Sequence, residues 1–353
     1  MTAVGDLHDI AAAHGCESLH LAADPGSGLR AIVAVHSTVL GPSLGGTRFR
    51  PYPDLESAAV DVCRLARGMT YKHAACGNDQ GGGKAVIIGD PASLRSDALL
   101  DAYGRFVDGL GGRYLTAEDV GTTQADMDRL RATTRYVTGT SPELGGSGDP
   151  SPATAWGVFC AMGAVAARLW GDPSLAGRHV VVLGVGKVGS ALARHLHEAG
   201  ARLTLADVRA DVVGRLAAEL GAAVVDVGAA AATECDILSP CALGAVLDEA
   251  TIPALRCAAV CGAANNQLAT DDDGRRVGDH GVLYAPDYVV NAGGVVNIAD
   301  ETAEGGYDQP RAYARVATIA TTLERIFALA DERSITTARA ADELAEERLA
   351  AGG

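Results

Sequence analysis

At 353 residues the chain exceeds the usual size of one domain, so two domains are expected. Its net charge of −15 argues against a nucleic-acid binder, which would normally show a basic face. No uninterrupted apolar run approaches the ~20 residues of a membrane helix, and the start MTAVGDLHDIAAAHG lacks the basic end and apolar core of a signal peptide. A cytoplasmic protein without membrane contact is the expectation.

In chain order, LRAIVAVHS (29–37) reads as a strand and GPSLGGTRF (41–49) as a glycine-rich loop. Residues 54–76 carry apolar side chains at helical spacing, with Asp54 as N-cap. KAVIIG (84–89) is a strand, 96–112 a helix closed by Gly111 and Gly112, and GRYLTAEDVG (112–121) a strand running into an acidic loop. The Ser-, Pro- and Gly-rich stretch 141–155 marks a linker. After a helix over 154–171, strands at HVVVLG, ARLTLAD, AAVVDV, CDILSPC, CAAVCGAAN and GVLYAPDYVVNAGG alternate with helices, the pattern of a parallel sheet covered on both faces. The tail is helical. The fold class is therefore α/β, with domains at 1–140 and 141–330 and a helical tail at 331–353 that packs back.

The dinucleotide pattern is the strongest local signal. In HVVVLGVGKVGSALARHLHEAGARLTLADV a strand meets Gly184-x-Gly186-x-x-Gly189, a helix follows, and a second strand ends in Asp207. The first glycine makes the turn, the second admits a pyrophosphate, and the third lets helix pack on strand. Gly184, Val185, Gly186, Lys187, Val188, Gly189 and Ser190 form the phosphate-binding turn, where helix N–H groups favour an anion. Asp207 is placed to accept from ribose hydroxyls, which favours NAD over NADP, although Arg209 lies close.

The basic residues comprise 26 arginines and only three lysines: Lys72, Lys84 and Lys187. Lysine can trade a proton near neutral pH when desolvated, whereas arginine cannot. GGGK at 81–84 is not a phosphate loop, because position 78 is Asn78, Ala85 follows the lysine, and a strand rather than a helix comes next. Helix, glycine-rich return and strand are expected to bring Lys72 and Lys84 together, each disfavouring the other's charge. One lysine would hold a substrate carboxylate and the other act as general base. Glu118 and Asp119 supply carboxylates at a strand end, with a turn or cap role as the alternative for Asp119. The eight cysteines form no C-x-x-C pair and the nine histidines no H-E-x-x-H, so no metal site is expected.

Six segments in order, GPSLGGTRF, ARGMTYK, GGGKAVIIGDP, GRYLTAEDVGTT, CGAANNQLA and YAPDYVVNAGGVVNIADE, together with GVGKVG, resemble the Glu/Leu/Phe/Val dehydrogenases, most closely the valine and leucine branch. GNDQGGGK departs from that family, many of whose members carry a more apolar residue before the glycines. The resemblance implies a substrate-binding α/β domain followed by a Rossmann-type, doubly wound NAD domain. It implies NAD-dependent oxidative deamination of a branched-chain L-amino acid to its 2-oxo acid and ammonia. A phenylalanine-type enzyme, a biosynthetic reductive aminase and a non-catalytic NAD-binding regulator are the alternatives. Lys84 would be the general base and Asp119 the proton shuttle. Lys72, Asn266 and the backbone at Gly45 and Gly46 would bind the α-carboxylate. Leu44, Ala117, Val295 and Ile298 would line the side-chain pocket, and Thr154, Ala242 and Leu243 would lie along the cofactor. A homo-oligomer is implied as well.

Overall fold

The computed structural model describes residues 6–242 and 244–352. The chain divides into two compact units, Met1–Asp149 with Ile298–Gln309 and Ala345–Gly353, and Pro150–Asn297 with Pro310–Leu344. Against the ranges expected from sequence, the first unit also takes in 298–309 and the last turns of the tail.

In the first unit the chain runs α1 (Leu7–Ala13), β1 (Ser18–Asp24), β2 (Leu29–Ser37), β3 (Ser43–Arg50), α2 (Leu55–Ala75), β4 (Gly81–Ile88), α3 (Pro91–Leu94), α4 (Asp97–Asp108), β5 (Tyr114–Glu118) and α5 (Gln124–Arg131). The sheet order is β1-β2-β4-β3-β5, with β3 parallel to both of its neighbours and β2 antiparallel to β1 and β4. One face packs Val33, Phe49, Ala85 and Ile87 on α4 and α5 residues such as Leu99, Tyr103, Met127 and Leu130. The other face lays Ile32, Ala34, Val86 and Ile88 against Ala58, Val62, Cys63 and Ala66 of α2. That helix starts where expected, at Asp54, whose carboxylate accepts from Ser57 N at 2.7 Å in a capping box.

Two expectations are corrected here. From Ser43 on, GPSLGGTRF is not a loop but the interior strand β3, and the three glycines 81–83 belong to β4 rather than to a return before it. Glycines normally weaken a strand, but here the surroundings need them. A Cβ on Gly82 would collide with the backbone of Thr70, so its absence lets α2 lie directly on the sheet.

The segment before those glycines is held by structure. Asn78, fully buried, donates from Nδ2 to His73 Nδ1 at 3.1 Å, and His73 Nε2 donates to the Leu44 carbonyl at 3.2 Å. Arg348 donates to the carbonyls of His73, Ala74 and Asn78 and pairs with Asp79 at 2.8 Å, closing the end of α2. Gln80 donates to Thr302 Oγ1 at 3.0 Å. The departure at GNDQ thus ties α2 and β3 to the C-terminal residues of the same unit.

The second unit contains α6 (Ser151–Trp170), β6 (His179–Leu183), α7 (Lys187–Glu198), β7 (Arg202–Ala206), α8 (Ala210–Leu220), β8 (Ala223–Val224), β9 (Cys235–Pro240), β10 (Cys257–Val260), α9 (Asp271–Asp279), β11 (Leu283–Tyr284) and α10 (Asp287–Val290). Helices α11 (Gly293–Ala299), α12 (Gln309–Ala317), α13 (Ile319–Arg333) and α14 (Thr337–Ala351) follow. The sheet is wholly parallel in the order β11-β10-β9-β6-β7-β8, a doubly wound Rossmann arrangement. GVLYAPDYVVNAGG is corrected from one long strand to a two-residue strand followed by helical turns, since Pro286 ends the pairing. No uninterrupted apolar run is expected to approach membrane-helix length, and the longest apolar helix, α6, is interrupted by Thr154 and Arg168. Helix α6 reaches 20 residues with a window of mean hydropathy 1.2, but half of that window is buried, and the helix packs on α7 and α13 within its unit.

Burial of His73 gives a measurable consequence. Burial disfavours the imidazolium and takes the pKa from 6.5 to about 4, with the bond to Leu44 opposing only in part. Between those values the unfolded chain binds a proton that the folded chain refuses, so stability falls as pH drops from about 6.5 to about 4. His73→Gln should show a shallower decline of the urea midpoint over that window, and parallel declines would refute the assignment.

Candidate active site and nucleotide-binding turn

Strand register builds the first site. Leu44 pairs with Gly82 and Thr47 with Ala85, so Gly46 stands beside Lys84, and on its other side Gly46 pairs with Ala117 of β5. Side chains on a strand alternate, so Leu44, Gly46 and Arg48 share the face of Lys84. Helix α2 covers mainly the β2 and β4 part of that face and meets β3 less extensively. Leu44, Ala117, Ile298 and Ala299 form a buried apolar cluster there, edged by Leu115.

Lys84, 6 % exposed, reaches across β3 and places its Nζ 3.1 Å from Asp119 Oδ2. Gly46 makes that crossing possible. A Cβ at Gly46 would stand 2.5 Å from the Glu118 carbonyl oxygen and 2.8 Å from Asp119 Cβ. The neighbouring Gly45 carbonyl accepts from the Tyr114 hydroxyl at 2.6 Å, which fixes the same stretch of β3 from the opposite side.

The Asp119 carboxyl is not a helix cap; Thr123 caps α5. Burial raises its pKa, but the charges of Lys84 and then Arg48 outweigh that and hold it below the ordinary carboxylate value. Arg48 Nε lies 3.1 Å from Asp119 Oδ2, and its Nη1 lies 3.0 Å from Asp61 Oδ2 on α2. Asp61 also accepts from the Tyr52 hydroxyl at 2.7 Å. Sequence reasoning missed Arg48 and Asp61. Arg48 follows Gly46 by two residues, a spacing that signals a shared face once 43–50 is read as a strand.

The structure brings together Lys84 with Asp119, and Leu44, Ala117 and Ile298 with one another. Lys72 lies half-buried in the last turns of α2. Glu118 falls on the opposite side of the β5 alternation from Ala117 and Asp119. A cavity of about 290 Å³ in the same unit, bordered by Leu115, Thr138 and Glu301, contains neither Lys84 nor Asp119.

In the second unit the turn after β6 lies at the switch point of the sheet, between the ends of β6 and β9. Gly184 has φ +99°, and a Cβ there would meet Ala242 Cβ at 2.6 Å, so Ala242 packs on the turn. Nothing stands within 4 Å of the position a Gly186 Cβ would occupy, and the N-terminus of α7 has no side-chain cap. That open, uncapped turn fits a pyrophosphate. Ser190 Oγ donates to the Val185 carbonyl at 2.8 Å, while Lys187 and Val188 lie in the first turn of α7. Asp207 accepts from Val185 N at 2.8 Å and from Arg209 N at 2.9 Å, and pairs with Arg209 Nε at 3.1 Å. The Thr154 hydroxyl donates to the Pro150 carbonyl at 3.0 Å, beside Gly294. Asn266 is exposed with φ +51°, its carbonyl accepting from Ala245 N, and Val295 is half-buried in α11. Leu243 lies outside the described residues.

A family model described as Glu/Leu/Phe/Val dehydrogenase, dimerisation domain, matches residues 18–136, and one for Glutamate/Leucine/Phenylalanine/Valine dehydrogenase matches 145–221 and 211–351. The chain belongs to the Glu/Leu/Phe/Val dehydrogenase family. It is 52 % identical over 326 residues to a leucine dehydrogenase of Geobacillus stearothermophilus, covering 92 % of this chain and 88 % of that one. It is 53 % identical over 338 residues to a valine dehydrogenase of Streptomyces virginiae, covering 95 % and 94 %. Among solved structures, L-tryptophan dehydrogenase from Nostoc punctiforme superposes with a TM-score of 0.85 at 40 % identity, covering 98 % and 99 %. The family is of the NAD(P)-dependent type.

Three substitutions probe these sites, one of them a control. Gly46→Ala should cost about 1–3 kcal/mol by overpacking β3 against β5 and displace Asp119. Gly68→Ala, where a Cβ meets nothing within 4 Å, should leave stability equal or higher in the same urea titration. Equal midpoints for the two variants would contradict the packing argument. Asp207 is held at about 2, first by the Arg209 side chain and, against the cost of burial, by the N–H groups of Arg209 and Val185. Its stabilisation is present above the ordinary value of 3.8 and lost as pH falls through about 2. The melting-temperature gap between wild type and Asp207→Asn should therefore close over that window, and a constant gap would exclude the charge as its source.

Proposed function

We propose that the protein catalyses NAD-dependent oxidative deamination of branched-chain aliphatic L-amino acids, releasing ammonia and the 2-oxo acid. The observation that carries this reading is the Lys84–Asp119 pair set beside the apolar cluster of Leu44, Ala117 and Ile298 on one sheet face. A proton-transfer pair next to a wholly aliphatic surface suits an amino acid whose side chain offers no polar group. Leucine and valine dehydrogenases at about half identity over most of the chain support the same substrate class.

When bound, NAD⁺ accepts the hydride from the substrate Cα. The residues of this chain manage protons and placement. Lys84 acts as general base, taking a proton from the water that adds to the substrate imine, and Asp119 carries protons to and from the departing amino group. At 3.1 Å a proton can pass between them without an intervening water. Lys72 takes the α-carboxylate, with the Gly45 and Gly46 backbone, by likeness to the family. Asn266 and Val295, on the second unit, keep substrate-contact roles on that likeness alone. Gly184 to Ser190 and Ala242 would hold the pyrophosphate, with Thr154 along the cofactor. Asp207 favours NAD because a carboxylate at that strand end repels a 2′-phosphate. We further propose self-association through the first unit, supported by the family model's description as a dimerisation domain and by the outer edge of β1, which has no strand partner among the described residues.

Lys84→Ala should lower kcat by about 10²–10⁴-fold while NAD still raises the melting temperature as in wild type. Unchanged turnover would overturn the assignment. Relative kcat/KM for valine, leucine and phenylalanine tests the substrate class, and a preference for phenylalanine would refute the aliphatic reading.

A further inference from the structure

We propose that Arg48 is a positioning residue that sets the charge state of Asp119, and that its strength is graded by sharing its guanidinium with Asp61. The proposal rests on the functional reading above.

The geometry is specific. Asp119 Oδ2 receives both Lys84 Nζ and Arg48 Nε, each at 3.1 Å. Two cations on one oxygen favour the carboxylate strongly. The charged groups around Asp119 come from three elements. Lys84 lies on β4 and Arg48 on β3, while Asp61 on α2 reaches Asp119 only through Arg48. Asp61 is itself bonded by Tyr52 and, at 3.2 Å, by Arg64. Lys72 lies on the same helix as Asp61, eleven residues on and so close to the same stripe of α2. Arg48 and Asp61 are both mostly shielded, with side-chain exposures of 18 % and 16 %, so the charges act through little intervening water.

Arg48 is forked rather than single-ended. A guanidinium can donate to two carboxylates at once, whereas an ammonium at that position would favour one. The positive charge felt by Asp119 is thereby divided between a carboxylate that moves protons and one that does not. Lys84 and Asp119 are in direct contact, so the acid limb of kcat/KM is read for the ion pair as a whole. Removing a neighbouring cation moves that limb to higher pH whichever member holds the proton; removing a neighbouring anion moves it to lower pH.

The test is the pH profile of kcat/KM for deamination of an aliphatic L-amino acid by the full chain. Wild type must turn over first; its failure would overturn the functional reading and is seen before any variant is made. In Arg48→Gln the acid limb should move up by about one unit, an approximately tenfold loss at acidic pH that closes on the alkaline side. Arg48→Lys should recover most of that shift. Asp61→Asn, which retains Arg48 and also serves if Arg48→Gln does not fold, should move the limb down. An equal loss at every pH in Arg48→Gln, or an upward shift in Asp61→Asn, would overturn the proposal, because damage to packing alone gives no shifts of opposite sign.

Discussion

The Lys84–Asp119 ion pair crosses a strand, and the first unit is arranged around that crossing. Lys84 stands on β4 and Asp119 just past the end of β5, with β3 between them, so their side chains can meet only if β3 presents nothing at the crossing point. Gly46 meets that requirement. The need for a bare position in an interior strand also explains why β3 has to be held by other means. The Tyr114 hydroxyl secures the Gly45 carbonyl, and the buried Thr47 hydroxyl bonds to Tyr103 and, at 2.6 Å, to Thr116. Hydroxyls on the opposite face thus stabilise a strand that, at the crossing point between Leu44 and Arg48, carries only the hydrogen of Gly46.

Helix α2 is fitted to the same constraint. It lies close on β4 because Gly82 has no side chain, and its far end is tied down through His73, Asn78 and Arg348. Its other contribution is Asp61, which anchors Arg48. The helix therefore holds both the half-buried Lys72 and one end of the charge network that ends at Asp119. A displacement of α2 would alter both, which connects the packing of small residues such as Ala58, Ala59 and Ala66 to the chemistry of the site.

Much of this was legible in the residues, and what was not has a physical cause. The second unit was readable because its strands are short, apolar and separated by amphipathic helices, and because the turn at Gly184 to Gly189 has a spacing with a mechanism. The end of that unit was misread at GVLYAPDYVVNAGG, where apolar content suggested extension but Pro286 stops the ladder. In the first unit Lys84 and Asp119 were found through their residue types. Arg48 was not, because three glycines and a proline made 41–49 look like a loop, and in a loop the i, i+2 relation of Gly46 and Arg48 carries no meaning. Local propensity yielded to a tertiary requirement: two parallel neighbours and a close backbone approach turn poor strand formers into an interior strand. Such local violations concentrate where function demands them.

The same logic accounts for GNDQGGGK. As a string it combines a polar run with a mimic of a phosphate loop, which invites a catalytic explanation. In the fold the polar residues face inward to His73 or toward Arg348 and Thr302, while the glycines lie inside β4. Asn78 acts on the site at one remove, because the ring it orients donates to the Leu44 carbonyl, and Leu44 is part of the apolar cluster beside Lys84. An apolar residue at position 78 could not donate to Nδ1, and the buried imidazole, whose Nε2 proton is fixed by the Leu44 carbonyl, would be left with an unpaired acceptor. The polar departure is thus a structural support for β3, the strand on which the crossing of Lys84 to Asp119 depends.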